Sequence, residues 1–262
     1  MNVPGARLAG LSAILALAAA PVAAQTISHV KTVTFGVSSL AAAGGTIMLD
    51  VPAGGVAAGN TLIISISTTG SGSSVMPTAT DSKGNAYSPV FAHSVAGSRR
   101  VSLIRSAVTT SLLDADTISI SWAAFTETTA GVLVAQVDEF ANIVAVSPLD
   151  LFEGASGTGT TPSVTDAGPT SQANELVLGA FGSIGNTTFT AGAGYTALPP
   201  TCFIAGAGTL TTCIYVEFKV VNAIGGQTAD GTFLNSLPWV GALATFRDEV
   251  VSVELQTFRV DD

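Results

Sequence analysis

The chain has 262 residues, of which 47% are hydrophobic and only 10% are charged, and its formal net charge is −9. The acidic balance repels phosphate backbones and argues against nucleic-acid binding, while the hydrophobic content excludes a disordered chain. The scarcity of Glu, Lys and Arg argues against a helical bundle, whose wet face needs them. Abundant Gly, Ser, Thr and Ala instead favour strands and tight turns.

The N-terminus has the three parts of a secretory signal peptide. Residues 1–7 carry one positive charge, the apolar run LAGLSAILALAAA follows, and Val22 and Ala24 are small residues of the kind that a signal peptidase reads. The run is Ala-rich and short for a membrane span, which needs about 20 strongly apolar residues. We therefore predict a signal peptide at 1–24 and a secreted protein with no membrane span after cleavage, the periplasm or cell surface being alternative locations.

Short runs of β-branched or alternating residues follow, each bounded by Gly, Pro, Asn or Ser. The clearest is DTISISW, in which Ile118, Ile120 and Trp122 point to one side and the intervening Thr and Ser residues point to the other. No window after the signal segment shows a sustained helical period. The pattern predicts an all-β fold, an antiparallel two-sheet β-sandwich of the jelly-roll type with one wet face per sheet.

The two halves of the chain look alike. NTLIIS from Asn60 resembles NELVLG from Asn174, and GVLVAQVDE from Gly131 resembles GALATFRDE from Gly241. The matches keep their order at offsets of about 110 residues, which suggests an internal duplication.

Two architectures fit a duplicated unit within a sandwich domain at 25–248. The halves, 25–145 and 146–248, either contribute strands to two shared sheets or form one small sandwich each. The connecting segment SPLDLFEGASGTGTTPSVTDAGPTSQ is then a surface crossover or a linker. It contains apolar residues that favour burial, and hence one shared sandwich: Leu149, Leu151, Phe152 and Val164.

The segment 249–262 is predicted to be a C-terminal tail or an extra edge strand. Its two terminal Asp residues would discourage edge-to-edge pairing there.

Two cysteines, Cys202 and Cys213, are predicted to form one disulfide, because an exported chain with an even cysteine count usually pairs them. They have no companion Cys or His nearby, so we expect no zinc site and no cofactor.

The sequence DSKGN at 81–85 superficially resembles a calcium loop, but it lacks the further acidic ligands and reads as a turn between strands. Calcium held between loops by acidic residues remains an open alternative, through Asp50, Asp114 or Asp116.

No catalytic nucleophile with an adjacent base stands out. The two histidines, His29 and His93, read as surface or sheet residues. The sequence FGSIG around Ser183 departs from the nucleophile-elbow pattern at its first position.

Glycoside hydrolysis is the enzyme class that best fits a secreted sandwich, and it needs two carboxylates flanking a cleft. Glu217 alternates with Tyr215 and Lys219, which is typical of an ordinary wet-face row. The Asp-Glu pair at the end of GVLVAQVDE recurs in the second half, which favours a structural role. The carboxylates considered are Glu127, Asp138, Glu139 and Glu217.

Sugar binding needs a flat aromatic ring with polar groups beside it. Trp122 belongs to the apolar face of its strand and is predicted to be core. Tyr87, Tyr195 and Trp239 lie beside turns and are the candidate ligand-binding residues.

A series of segments from PAGGVAAGNTLIISIS and TDSKGNAYSPV through SPLDLFEGASGTG to TFTAGAGYTAL and PWVGALATF resembles a β-sandwich module of bacterial exported and phage-tail-like proteins. The resemblance covers most of residues 45–247. It implies the sandwich fold, an exported location and two halves that occur as one unit, and it carries no catalytic residues.

From these observations we expect a non-enzymatic exported β-sandwich that binds a glycan or a cell-surface component. The first alternative is a structural or assembly module of an extracellular structure, with self-association left open, and the second is a glycoside hydrolase. An aromatic groove lined by the three candidate rings would favour glycan binding. Long exposed edge strands would favour assembly, and two facing carboxylates in a cleft would favour hydrolysis.

Overall fold

A computed structural model describes residues 26–95, 98–126, 131–204 and 211–249, without the side chains of residues 71 and 72. The predicted signal segment 1–24 lies outside the described residues, as does the C-terminal segment 249–262 except for Glu249. The remainder, Gln25–Val250, is one compact unit by itself.

The described part of the first half forms eight strands and a short 3₁₀ turn at Gly70–Ser74. The strands are β1 (Ser28–Leu40), β2 (Gly45–Asp50), β3 (Thr61–Thr69), β4 (Thr78–Asp81), β5 (Tyr87–Val95), β6 (Arg99–Ala107), β7 (Thr117–Trp122) and β8 (Gly131–Ala141). They build a five-stranded antiparallel sheet, β1-β8-β3-β6-β5, and a three-stranded one, β2-β7-β4. We call this pair of sheets the first sandwich.

The second half repeats this plan. Its strands are β9 (Leu149–Gly159), β10 (Ser163–Pro169), β11 (Asn174–Ile184), β12 (Phe189–Ala191), β13 (Thr196–Ala197), β14 (Thr201–Phe203), β15 (Thr212–Asn222), β16 (Gly226–Phe233) and β17 (Leu237–Arg247). They build a large sheet, β13-β15-β11-β17-β9 with β14 also on β15, and a three-stranded one, β10-β16-β12. Strand for strand, this second sandwich has the order of the first, with β13 and β14 together in the place of β5.

The predicted all-β, antiparallel sandwich is therefore confirmed, but the favoured plan of two shared sheets is wrong. The described residues form four sheets, and every pair of hydrogen-bonded strands among them lies within one half. The reason lies in the connecting segment, which is neither linker nor crossover: most of it is the paired strands β9 and β10. Because it supplies its own edge strands, the second half completes its own sheets.

The two large sheets pack face to face, so the described chain contains three apolar cores. One lies inside the first sandwich, one inside the second, and a middle core between the two large sheets draws residues from both halves. In consequence the large sheets are inner layers without a wet face, and their central strands β3, β8, β11 and β17 are buried almost throughout. Double-sided burial explains the near-continuous apolar runs of these strands.

Only the outer three-stranded sheets show the predicted alternation. In β7, Ile118, Ile120 and Trp122 are buried as expected and the intervening residues are partly exposed. The Trp122 indole donates to the carbonyl of Ala41 at 3.1 Å, which satisfies its one polar group in the core.

The sequence match between the halves does not follow the structural correspondence in every strand. Leu62, in NTLIIS, faces the core of the first sandwich, whereas Leu176, its partner in NELVLG, faces the middle core. A shift of one residue reverses the two faces of a strand. The shared strand order is a fact of the fold, and the duplication itself stays a prediction.

Candidate functional site

The three candidate aromatic residues do not form a common platform. Tyr87 packs against the core of the first sandwich, whereas Tyr195 and Trp239 belong to the core of the second. Contrary to the expectation of exposure beside a turn, the side chain of Trp239 is buried, with its ring packed edge-on against Phe181 at 6.3 Å between centroids. Of three pockets in the described part of the chain, one is lined by Tyr87 and none by Tyr195 or Trp239.

The two tyrosine hydroxyls are used inside the protein. Tyr87 donates to Asp81 Oδ2 at 3.0 Å, and Tyr195 donates to the carbonyl of Thr228 at 2.7 Å. Burial raises the pKa of both hydroxyls well above the usual range of a tyrosine. The ring face of Tyr195 is covered by the ammonium group of Lys219, 4.5 Å from its centroid.

The calcium-like sequence at 81–85 is a turn that one carboxylate organises. Asp81 Oδ1 accepts the backbone N–H groups of Lys83 and Asn85, and Oδ2 accepts the Asn85 side-chain amide as well as Tyr87. Such a turn is the alternative that the sequence favours. Across the part of the chain that the structure describes, no three His, Cys, Asp or Glu side chains come close enough together to hold a metal ion.

Glu217 is a buried structural group rather than a member of a wet-face row, and the sequence-based interpretation is wrong in this respect. It has no exposed surface, and its two oxygens accept the backbone N–H groups of Gly192 at 2.9 Å and Asp230 at 3.0 Å. Its neighbour on the same face, Tyr215, is only 1% exposed. The outer sheet of the second sandwich covers this face, which the sequence alone does not reveal.

Asp138 and Glu139 are also buried and also bonded. Glu139 Oε1 accepts from the Asn60 side chain at 2.6 Å and from the backbone of Ala57 at 3.1 Å, which fastens the loop before β3. Asp138 lies between the sandwiches and accepts from Thr32, at 2.6 Å, and Gln136, at 3.0 Å. The remaining carboxylate of the hydrolase hypothesis, Glu127, lies outside the described residues.

Neither histidine is placed beside a nucleophile. The ring of His29 packs between Phe140 and Phe218, with its Nε2 3.4 Å from Asp138 Oδ1. His93, on β5, lies against Gly154 of β9, where a Cβ atom would collide with its ring. Both therefore serve the contact between the two sandwiches.

The predicted disulfide is present and forms one wall of a cleft. Cys202 and Cys213 are paired in register on β14 and β15 and are covalently joined. Cys202 lines a cleft of about 690 Å³ that opens between the edge strand β1 and the segment before β14. We call it the edge cleft, and its lining residues are Thr32–Val37, Asn186 and Pro199–Cys202.

Sequence reasoning did not single out β1, which supplies half of this cleft. The strand is hydrogen-bonded to β8 on one side only, and no described strand pairs with its other side. Phe35 and Val37 point toward the cleft and are 68% and 42% exposed, which is unusual for an aromatic and a β-branched residue side by side. Between them, Gly36 faces the first core, where a Cβ would collide with the side chain of Leu49.

The walls of the edge cleft are nearly free of charge although the protein is strongly acidic. The chain contains no Asp or Glu between residues 26 and 49, and no charged residue between 176 and 216. Lys31 is the one formal charge in these two stretches, and it is turned toward Glu139, 3.8 Å away. A strand without acidic residues at the N-terminus of an acidic domain is the sequence signal that could have indicated this surface.

At the opposite edge of the two large sheets, the corresponding space is filled. There β9, the counterpart of β1, meets β5, and Phe152 packs on Phe91 with 5.1 Å between ring centroids. Phe152 lies on the same face of β9 as Phe35 does of β1. Phe152 pairs with Ala244, and Phe35 pairs with Gln136. Both partners point into the space between the sandwiches. The counterpart of β5 is interrupted by Pro199 and Pro200, so Phe35 has no aromatic partner among the residues described.

The chain matches no protein-family model, and it has no significant match among curated proteins or solved structures. The resemblance to an exported, phage-tail-like module therefore stays a prediction. None of the described segments is a helix that is long and apolar enough to cross a membrane.

Proposed function

We propose that this protein is a non-enzymatic exported β-sandwich whose role is assembly: it joins an extended polypeptide strand to the free edge of β1. The single observation that carries this proposal is a 13-residue strand whose outer edge pairs with no described strand and whose Phe35 and Val37 are exposed beside an uncharged cleft.

An unpaired edge presents a row of backbone N–H and C=O groups to a partner strand. Natural proteins usually protect such edges with charges, prolines or short strands. The segment 34–40, TFGVSSL, contains neither a charge nor a proline. Strand addition takes its affinity from backbone hydrogen bonds and its specificity from pockets for alternate side chains. The edge cleft is such a pocket, because it lies on the face to which every second side chain of an added strand would point.

The geometry supports assembly better than the glycan contact first expected. Stacking on a sugar needs an exposed ring face, whereas Trp239 is 8% exposed and Tyr195 is covered by Lys219. Hydrolysis needs two carboxylates facing a cleft, whereas Glu217 is fully buried and bonded on both oxygens. The edge cleft has an exposed aromatic ring but no acidic residue in its lining.

A displayed library of 12-residue peptides, panned against the purified protein, tests this proposal without assuming the partner. We expect the enriched peptides to alternate apolar and polar residues. Their binding should weaken at least tenfold with the F35K variant, because a charge then projects into the uncharged cleft. The matched control is L234K, which changes a side chain that is 73% exposed in a turn of the second sandwich.

Equal binding of the enriched peptides to F35K and to the unaltered protein would overturn the proposal. The proposal would also be overturned if no peptide is enriched while the cleft binds small apolar dyes that the F35K variant no longer binds. The cleft would then be a small-molecule site.

A further inference from the structure

We infer that the strand added at β1 is the β1 strand of a second copy of this chain, paired antiparallel about Gly36. This inference rests on the proposed function and names its partner. The five-stranded sheet of one copy, which contains β1, would then join the same sheet of the second copy into one continuous sheet.

The first argument is the charge of the surface. Two copies of a protein with a net charge of −9 repel each other over most of their area. The stretches 26–49 and 176–216, which supply both walls of the edge cleft, contain no carboxylate. A second copy can therefore approach this edge without bringing carboxylates together, which is not the case at an average part of the surface.

The second argument is the side-chain pattern of β1 itself. Beyond its last irregularity, between Thr32 and Thr34, the strand is regular as far as Leu40. An antiparallel pair centred on Gly36 places Phe35 opposite Val37 of the partner copy, and the two-fold axis repeats this pair. Aromatic side chains opposite β-branched ones are among the favourable cross-strand pairs. Both pairs lie on the cleft side, and the glycines face the cores, where there is no room for a Cβ.

The third argument comes from the opposite edge of the two large sheets within one chain, where β9 meets β5. There the exposed phenylalanine of the edge strand β9 is covered by Phe91, an aromatic residue of a neighbouring edge strand. Phe35 stands in the corresponding place without such a cover from any described residue and is 68% exposed, against 50% for Phe152. The β1 strand of a second copy brings apolar side chains to this position.

Cross-linking between two cysteine variants tests both the partner and the register. The natural cysteines are joined in a disulfide, so a new cysteine is the only free thiol. In the proposed register Thr34 lies opposite Ser38 of the second copy. A mixture of T34C and S38C proteins should give a disulfide-linked heterodimer on mild oxidation, with a yield at least tenfold above that of a T34C and S28C mixture. In the latter mixture the second thiol lies ten residues along the strand from the position that faces Thr34, a distance of about 33 Å.

Light scattering supplies the second readout. The unaltered protein should show a concentration-dependent monomer–dimer equilibrium, F35K should shift its midpoint at least tenfold toward monomer, and L234K should leave it unchanged. A protein that stays monomeric, yet binds enriched peptides that F35K no longer binds, would overturn this inference and leave the proposed function standing. Dimerisation that is insensitive to F35K, or cross-linking without preference for the T34C and S38C pair, would overturn the inference too.

Discussion

At the scale of single residues, the buried carboxylates explain why this sandwich has acidic groups without an acidic site. Burial raises the pKa of Glu217 to about 7, against 4.5 for an ordinary glutamate, although two backbone N–H groups partly offset the shift. Burial and the nearby Asp150 raise the pKa of Glu175 to about 7 as well. Each group is bonded within the protein, so the shifts belong to the cost of burial and carry no sign of catalysis.

These shifts predict a stability that falls as the pH rises. Between pH 4.5 and pH 7 the two glutamates ionise in the unfolded chain but keep their protons in the folded one, so the unfolded state binds fewer protons. The free energy of unfolding should therefore be higher at pH 5 than at pH 7, as urea titrations at both values would measure. An unfolding free energy that rises from pH 5 to pH 7 would contradict this expectation.

The control is the E217Q and E175Q double variant, which should unfold with a much weaker dependence on pH in this window. Groups with lowered pKa values affect stability outside this pH window. The backbone N–H of Leu113 is the main cause that lowers the pKa of Asp116 below 3.8, so the contribution of Asp116 to stability is lost only in stronger acid.

Tyr87 makes a second prediction at the residue scale. Y87F removes the hydroxyl that donates to Asp81 Oδ2 but keeps the ring in the first core. We expect a loss of about 1 kcal/mol in the free energy of unfolding, up to roughly 3 kcal/mol because the acceptor is charged. Urea unfolding would measure it, with Y195F as the comparison that removes a bond to a neutral carbonyl. If Tyr87 instead serves as an exposed ligand contact, Y87F will leave stability unchanged.

At the scale of elements, the interrupted edge of the second sandwich creates the cleft. Where the first sandwich has the single strand β5, the second has the short strands β13 and β14, separated by Leu198–Pro200. Proline lacks the N–H that a strand needs for its ladder, so pairing with β15 breaks at this point. The break removes the wall that would otherwise cover Phe35 of β1.

The disulfide between β14 and β15 compensates for this interruption. It closes a loop with a sequence separation of 11 residues and fastens a strand of only three residues. Replacement of both cysteines by serine should lower the free energy of unfolding by about 3 kcal/mol in the chain-entropy model. The measurement is urea unfolding of the variant beside the oxidised protein, and dithiothreitol should destabilise only the latter. A variant with unchanged stability would show that β14 is held by other contacts.

At the scale of the whole molecule, the middle core makes one cooperative unit of two sandwiches that share no sheet. Its members come from both large sheets, and Phe140 and Phe246 are among those fully buried. Separation of the halves would expose this apolar surface to water, which opposes independent unfolding. The resemblance to a module in which the halves occur together, itself a prediction, agrees with such a unit.

The two tryptophans report on this cooperativity, since the chain has one in each half, Trp122 and Trp239. The variants W122F and W239F each keep one fluorophore. We expect the fluorescence unfolding transition of each variant to coincide with its transition by circular dichroism. The substitution F140A should lower the free energy of unfolding reported by both fluorophores equally, by about 3 to 5 kcal/mol. Transitions that separate by fluorophore would mean that the sandwiches unfold independently.

The sequence alone specifies the strands and their class, because alternation and β-branched runs bounded by Gly, Pro and Asn depend on neighbours along the chain. It also determined the disulfide, since the chain has only two cysteines, and the burial of Trp122, which follows from the period of its strand. The strands and the burial of Trp122 follow from local periodicity, and the disulfide follows from there being only two cysteines, so neither requires knowledge of the fold.

Which layer of the sandwich covers each strand face is set by the tertiary structure. It placed Trp239 and Glu217 in a core, because the outer sheet of the second sandwich lies over them. It left Phe35 exposed, because two prolines far along the chain interrupt the strand that would have covered it. Burial depends on long-range packing, and no period within one strand can specify what packs against it.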